Sequence, residues 1–354
     1  MFQCGEKPFE TGYKLMDYQQ NTTIVIPARK VDDLLIECVG KTRELYPVVK
    51  MVLVLDELPT ENIFDENVVV LKSEKKTMSA KRNQGVAIAD TKYILFIDSD
   101  SYPRKNLCEK AIDFLEDNHI YAAVTGNQYV PDDDNFRKKC LRQLRFCKLF
   151  TYSEWCKVID YEASEQDCCE FMTSDVLIRK DVFDKLSGMN EAIYLAEDNE
   201  FSERIIKNGY KIRFIPDVSV FHHEADFVPF MRKIFCMSYY YALEFAQKQS
   251  FKSLKEYFCI FFPLVAFVFS LCVYALALYF DEELLFLFNL PTLAFVVFVY
   301  FAAKLSEKLD YNFFKSFCFF IFSFISFCIV WIFGITCGLL KLPCFDVQKM
   351  YRHY

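Results

Sequence analysis

The sequence predicts an α/β protein, with a mostly parallel, doubly wound sheet followed by C-terminal transmembrane helices. Three observations predict this class. Short apolar runs alternate with amphipathic helical patterns over residues 21–98, as they do in βαβ units. Three of those runs stop at polar or acidic residues, as strands do at the ligand-binding edge of an open sheet. From residue 257 onward, three uncharged stretches follow one another, each at or above the roughly 20 residues that a helix needs to cross a bilayer.

The elements follow in order. The run "TTIVIPA" reads as a strand closed by Pro27, and "VDDLLIECVGKTREL" as an amphipathic helix. A second buried strand, "VKMVLVLDE", ends in acid, and "NVVVLKS" is a third. "SAKRNQGVAIAD" reads as a helix with Ser79 as its N-cap, and "KYILFID" as a fourth strand. The strand ends are Pro27-Ala28-Arg29, Asp56-Glu57 and Asp98-Ser99-Asp100. Polar groups from three separate strands therefore gather at one edge of the sheet. Neither G-x-G-x-x-G nor G-x-x-x-x-G-K-[ST] occurs, which removes the dinucleotide and P-loop readings.

After Pro131 the chain becomes basic and amphipathic. Phe136, Cys140, Leu141, Leu144, Cys147 and Phe150 share one helical face, while Arg137, Lys138, Lys139, Arg142, Arg145 and Lys148 crowd the rest. Such a helix is expected either to lie on anionic lipid or to pack as a solvated helix on its own sheet. A second acidic pair, Glu197-Asp198, stands ahead of a predicted helix over residues 199–208 that Gly209 ends. The run "KIRFIPDVSVFHH" then reads as one strand. Taken alone, carboxylates in front of a helix are often only capping charges. The aromatic, Met-rich residues 227–247 suggest an interfacial helix ahead of the first membrane span.

Composition narrows the class. A formal net charge of −7 argues against nucleic acid as a partner. The 15 cysteines include no C-x-x-C pair and read as buried reduced thiols. The expected organisation is an N-terminal extension (1–20), a catalytic domain (21–226), an interfacial segment (227–256), three spans (257–280, 284–303, 317–340) and a tail (341–354). No apolar leader is visible at the N-terminus, Lys252 and Lys255 precede the first span, the first loop is the acidic Asp281-Glu282-Glu283, and lysines fill the second loop. The expectation is an integral membrane protein with its catalytic domain in the cytoplasm. The spans hold no Asp, Glu, Lys, Arg or His, which weighs against a transporter.

The stretches "TIVIPARK", "VLVLDE", "SAKRNQGVAIA", "ILFIDSDSYP" and "YLAEDNEFSERIIKNGYKIRFIPDVSVFHH", in that order, resemble the inverting family 2 glycosyltransferases of GT-A fold. The resemblance covers roughly residues 21–223. It implies a nucleotide-sugar donor, UDP- or GDP-linked, and Mg²⁺ or Mn²⁺ as cofactor, because the departing diphosphate needs a hard cation held by carboxylates. Asp98-Ser99-Asp100 resembles the family's D-x-D element, with Asp100 as metal ligand and Asp98 nearer the ribose and the metal's water shell. Strand alternation is expected to send both carboxylates to the same side. Asp56 matches the acid that contacts the nucleobase, and Pro27-Ala28-Arg29 the loop beneath it. Arg82 and Asn83 match the family's A-R-N-x-G element, touching the donor or orienting the acidic loop. Asp198 matches the general base, with Glu197, Ser174 and Asp175 supporting it or the acceptor. His222, less so His223, is a candidate for the metal shell or the diphosphate. Glu203 and Arg204 are expected to be structural.

Two departures from the family pattern matter. The Q-x-x-R-W element of processive synthases is missing, which favours single addition, and Asp56-Glu57-Leu58-Pro59 stands where D-D-G-S is common. The expected activity is transfer of a sugar to a lipid or lipid-linked acceptor at the membrane surface. The alternatives are a polyprenyl-phosphate sugar synthase, which needs no base, and a non-catalytic membrane scaffold. The scaffold is disfavoured because Asp56, Asp98, Asp100 and Asp198 are all present.

Overall fold

The computed structural model describes residues 17–61, 63–145, 164–168, 170–193, 197–247 and 313–342, with isolated helical positions between 260 and 303. The chain divides into two compact units, residues 1–131 with 154–223, and residues 132–153 with 224–354.

The first unit opens with β1 (Thr22–Ala28), α1 (Asp33–Leu45), β2 (Lys50–Leu55), β3 (Val68–Lys72), α2 (Met78–Ala87) and β4 (Tyr93–Phe96). It continues through β5 (Ser101–Pro103), α3 (Leu107–Asp117), β6 (Tyr121–Thr125) and β7 (Gln128–Tyr129). Among its described residues, β8 (Gln166–Cys168), β9 (Val176–Arg179), α5 (Lys180–Lys185), α6 (Glu197–Lys207), β10 (Lys211–Phe214) and β11 (Val220–His222) complete it. An eight-stranded sheet runs in the order β3-β2-β1-β4-β9-β6-β10-β8. Pairing is parallel from β3 to β4, and β9 is antiparallel to both neighbours. The predicted class therefore holds, with two antiparallel strands, β8 and β9, added to the parallel frame.

Strand alternation divides the core between the two faces. Ile24, Ile26, Leu53 and Leu55 join Leu35, Cys38 and Val39 of α1 and Leu107, Ala111 and Leu115 of α3. Val25, Val52, Val54, Ile94 and Phe96 join Val86 of α2, Phe183 of α5 and Phe201 and Ile205 of α6. Both faces are covered, so the strands read as continuous apolar runs.

Three local expectations need correction. The N-cap of α2 is Thr77, not Ser79: Ala80 N donates to Thr77 Oγ1 at 3.3 Å, because the helix begins two residues earlier than its pattern suggested. Helix α6 begins at Glu197 rather than 199, so the acidic pair occupies the first turn, where the helix dipole favours negative charge. Gly209 does end the helix, at φ +83. The run "KIRFIPDVSVFHH" is two strands, not one. Pro216 offers no N–H to a ladder, Val218 N turns back to Ile215 O at 2.9 Å, and β11 joins a second, three-stranded sheet of order β5-β11-β7.

The second unit contains α4 (Phe136–Arg145), α7 (Phe227–Gln247) and α8 (Phe313–Leu339). By length and composition α8 can cross a membrane, matching the third expected span with ends at 313 and 339 in place of 317 and 340. The other two expected spans lie largely outside the described residues. Helix α8 buries Ser316, Phe320, Ser323, Phe327, Trp331, Gly334, Ile335 and Gly338, and exposes Phe322, Ile325, Ile329 and Phe333. Gly334 and Gly338 form a small-x-x-x-small pair. A Cβ at Gly338 would collide with the Tyr239 carbonyl, and one at Gly334 with Ser238, so α7 and α8 pack at close range.

Arg142 of α4 was expected among the basic residues crowding the polar side, but it is fully buried. Its Nε lies 3.3 Å from Glu224 Oε2. A guanidinium enters an apolar interior only with a counter-charge, and Glu224 supplies it. Cys140 of the same helix packs on Phe320. Residues 146–150 of the expected amphipathic stretch lie outside the described residues.

Two glycines should respond oppositely to Ala. At Gly126 a Cβ would overlap the carbonyl oxygens of Val218 and Ile215, backbone atoms that cannot step aside. Gly126→Ala is expected to destabilise by about 3 kcal/mol, the upper end of overpacking costs. Gly40, on the exposed face of α1 with nothing within 4 Å, should gain about 0.5–1 kcal/mol as Ala. Denaturant unfolding of both variants checks the pair.

Candidate functional site

The carboxyl ends of β1, β2 and β4 lie side by side, and the site is assembled there. Strand β4 stops at Phe96, so Asp98 and Asp100 occupy a turn rather than a strand. Ser101 builds that turn: its N–H and its hydroxyl both donate to Asp98 O, at 3.1 and 2.9 Å, and its Oγ accepts from Asp98 N at 3.0 Å. The two carboxylates do come together, through this turn and not through the alternation the sequence suggested.

The small sheet delivers the third group. In the antiparallel register of β5 and β11, His222 stands opposite Ser101, and His223 N donates to Asp100 O at 3.0 Å. His222 Nε2 lies 3.2 Å from Asp100 Oδ1. Asp98, Asp100 and His222 offer ligand atoms all within 4.8 Å of one another. Two carboxylates and an imidazole form a donor set suited to Mn²⁺ or Mg²⁺. His223 turns elsewhere, with Nε2 3.3 Å from Glu37 Oε2.

Arg82 ties this cluster to the second acidic element. Its side chain is 2% exposed, with one terminal nitrogen 2.9 Å from Asp98 Oδ1 and the other 2.9 Å from Glu197 Oε1. Asp198, the next residue, keeps some solvent contact but is enclosed by protein. That desolvation, and then the neighbouring charge of Glu197, push its carboxyl up to about 7, against the pull of Arg82. Asp198 can therefore exchange a proton near neutrality. Asn83 serves a different place: its amide donates to Met189 O and Glu191 and accepts from Met189 N.

Asp56 ends β2 with one oxygen on Lys81 Nζ at 3.0 Å, and Lys81 also donates to Ala28 O at 2.8 Å. The buried ammonium has a lowered pKa, chiefly through desolvation, partly offset by Asp56. Asp56 Oδ1 is buried and receives no hydrogen bond among the described residues. Pro27 and Ala28 are buried at the end of β1, opposite Val54 and Leu55 of β2, while Arg29 reaches the surface with Glu57 at 3.6 Å. Ser174 accepts from Gln128 at 2.6 Å. Asp175 is wholly buried, and desolvation holds its carboxyl well above the usual range.

Lys81, Ser101 and Gln128 were not singled out in the sequence. Lys81 looked like one more charge on a helix, and its neighbour in the quoted motif, Arg82, took the attention. Ser101 and Gln128 act through contacts whose partners the chain order alone does not reveal.

Replacing Arg82 with Met should leave Asp98 and Glu197 facing one another without a cation. We expect a loss of about 3 kcal/mol, the low end for breaking a buried pair because Asp98 retains solvent contact. Arg82→Lys should recover little, since one ammonium cannot reproduce a two-sided fork. Thermal unfolding of the two variants measures this.

The glycosyl transferase family 2 model matches residues 23–187. The O-antigen chain rhamnosyltransferase WbaN of Salmonella anatum is 27% identical over 182 residues, covering 48% of this chain and 54% of that protein. Glycosyltransferase GlyG of Streptococcus pneumoniae is 29% identical over 127 residues, covering 32% of this chain and 42% of that protein. The chain thus spans about half the length of these relatives. Among solved structures, the mannosyltransferase PcManGT from Pyrobaculum calidifontis, in complex with GDP-Man and Mn²⁺, superposes with a TM-score of 0.56 at 14% identity, covering 95% of each chain. That likeness concerns the fold. Residues 23–187 thus resemble a glycosyltransferase family 2 domain, and the fold is GT-A.

Proposed function

We propose that this protein is a metal-dependent inverting glycosyltransferase that moves a sugar from a nucleotide-diphosphate sugar to a hydroxyl of a lipid or lipid-linked acceptor at a membrane surface. The observation that carries the reading is the convergence of Asp98, Asp100 and His222 at one sheet edge, joined through Arg82 and Glu197 to the element that bears Asp198. Asp98, Asp100 and His222 would hold a divalent cation, Mg²⁺ or Mn²⁺, whose charge offsets the charge gathering on the departing diphosphate. Asp56 Oδ1, buried without a donor, suits an imino N–H of a nucleobase such as uracil or guanine. Asp198 accepts the acceptor's proton while the acceptor oxygen bonds to the anomeric carbon and the bond to the diphosphate breaks on the opposite face. The rhamnosyltransferase named above works on an O-antigen chain by its name, which supports a glycan-building role. The apolar outer stripe of α8 supports attachment to a membrane.

A donor screen tests the reading. The detergent-purified protein should melt at higher temperature with either a UDP- or a GDP-sugar plus Mn²⁺ or Mg²⁺, and lose the shift with chelator, because a ligand that binds only the folded state stabilises it. Asp100→Asn should abolish the metal-dependent shift while the ligand-free melting point holds. No shift with any nucleotide sugar would favour a scaffold.

The base assignment is tested by rate. Asp198→Asn should lower kcat by about 10²–10⁴-fold for a hydroxyl acceptor, whereas retained activity would point to a phosphate acceptor. The base works deprotonated, so kcat/KM should climb as pH rises through about 7. Glu197→Gln removes a charge that raises the Asp198 pKa, and should move that limb to lower pH.

A further inference from the structure

Gln128 opens β7, the parallel neighbour of β11, and its side chain is fully buried. Its amide nitrogen donates to Ser174 Oγ at 2.6 Å, and its amide oxygen lies 3.1 Å from His222 Nδ1. An amide oxygen only accepts, so Nδ1 must carry the hydrogen. With Nδ1 carrying the single ring hydrogen, a lone pair remains on Nε2, the atom that faces Asp100 Oδ1 at 3.2 Å. A lone pair facing a carboxylate is an arrangement that a cation satisfies. The reverse arrangement is easily drawn: with the amide turned over, its NH₂ would face Nδ1, the ring proton would move to Nε2, and His222 would merely donate to Asp100. Ser174, just ahead of β9, fixes the far end of the amide at 2.6 Å, and because its hydroxyl can donate or accept, the ring tautomer is what distinguishes the two arrangements.

We propose that Gln128, anchored by Ser174, is a positioning residue that holds His222 in its Nδ1–H tautomer, presenting Nε2 to a divalent cation shared with Asp98 and Asp100. This rests on the metal-dependent reading above. Outer partners of this kind set the tautomer and aim of a ligating imidazole, and their loss typically weakens metal binding about 10–100-fold.

The full chain in detergent is titrated with Mn²⁺, alone and with UDP or GDP, and free Mn²⁺ is read by electron paramagnetic resonance. Gln128→Leu, of similar size but with no acceptor, should bind Mn²⁺ about 10–100-fold more weakly. Gln128→Glu keeps an oxygen opposite Nδ1 and should bind as the wild type does. A second readout needs no metal. With four histidines in the chain, nitrogen-15 NMR at mildly alkaline pH can assign the His222 tautomer. Nδ1–H is expected in the wild type and in Gln128→Glu, and its loss in Gln128→Leu. If Gln128→Leu folds poorly, Ser174→Ala should move both readouts in the same direction. Undiminished Mn²⁺ affinity in folded Gln128→Leu, or an Nε2–H ring in the wild type, would overturn the proposal. His222→Ala separates the two levels: equal Mn²⁺ binding by it and the wild type removes this inference and leaves the site at Asp98 and Asp100. No Mn²⁺ binding by the wild type under any condition removes the metal-dependent reading itself.

Discussion

The site depends on one buried guanidinium. Arg82 reaches from α2 to Asp98 on one side and Glu197 on the other, and no other residue type could bridge two carboxylates in that way from a buried stem. Its planar fork supplies several fixed donors and a delocalised positive charge. Without it, the acids around Asp98 and those around Glu197 would repel one another in a partly desolvated space, where Coulomb forces are stronger than in water. Arg82 also moderates Asp198, pulling its carboxyl down while Glu197 and burial push it up. A carboxyl pushed up to about 7 results from this opposition.

The second constraint is the small sheet. A parallel sheet brings the ends of β1, β2 and β4 to one edge, but its own strands supply no histidine there. The chain acquires one by leaving the large sheet at Pro216 and returning as β11 beside β5, whose register sets His222 opposite Ser101. Because the pairing is antiparallel and short, a slip of one residue would reverse the side-chain faces and exchange His222 with its neighbours. Gly126 permits the crossing, since its missing side chain is where the carbonyls of Val218 and Ile215 lie. The loop after β6 and the loop before β11 thus pass at backbone contact.

In the second unit the physics differs. Helices α7 and α8 approach closely at Gly334, Gly338 and Ser238, and large apolar side chains, Phe230 and Ile234 against Phe327 and Trp331, pack beside that contact. The charged pair Arg142 and Glu224 is buried within that unit. Such a pair adds little stability over apolar packing, but either partner alone would be costly, so the two residues constrain each other.

Much of this was legible in the chain itself. The apolar runs of β1 and β2, the periodicity of α1, and the glycine ending α6 are local features, governed by neighbours a few residues away, and their sequence boundaries lie close to those observed. The acidic strand ends were legible for the same reason: a strand that stops at Asp must place it at the sheet edge. Tertiary structure alone decided what those acids meet. Arg82 finds Glu197 across 115 positions of sequence, His222 finds Gln128 across 94, and Arg142, read as a surface charge, is buried because Glu224 lies beside it. Local patterns reflect short-range sterics and burial, which sequence order encodes directly. Pairings between distant residues depend on strand order and register, which exist only once the chain has folded.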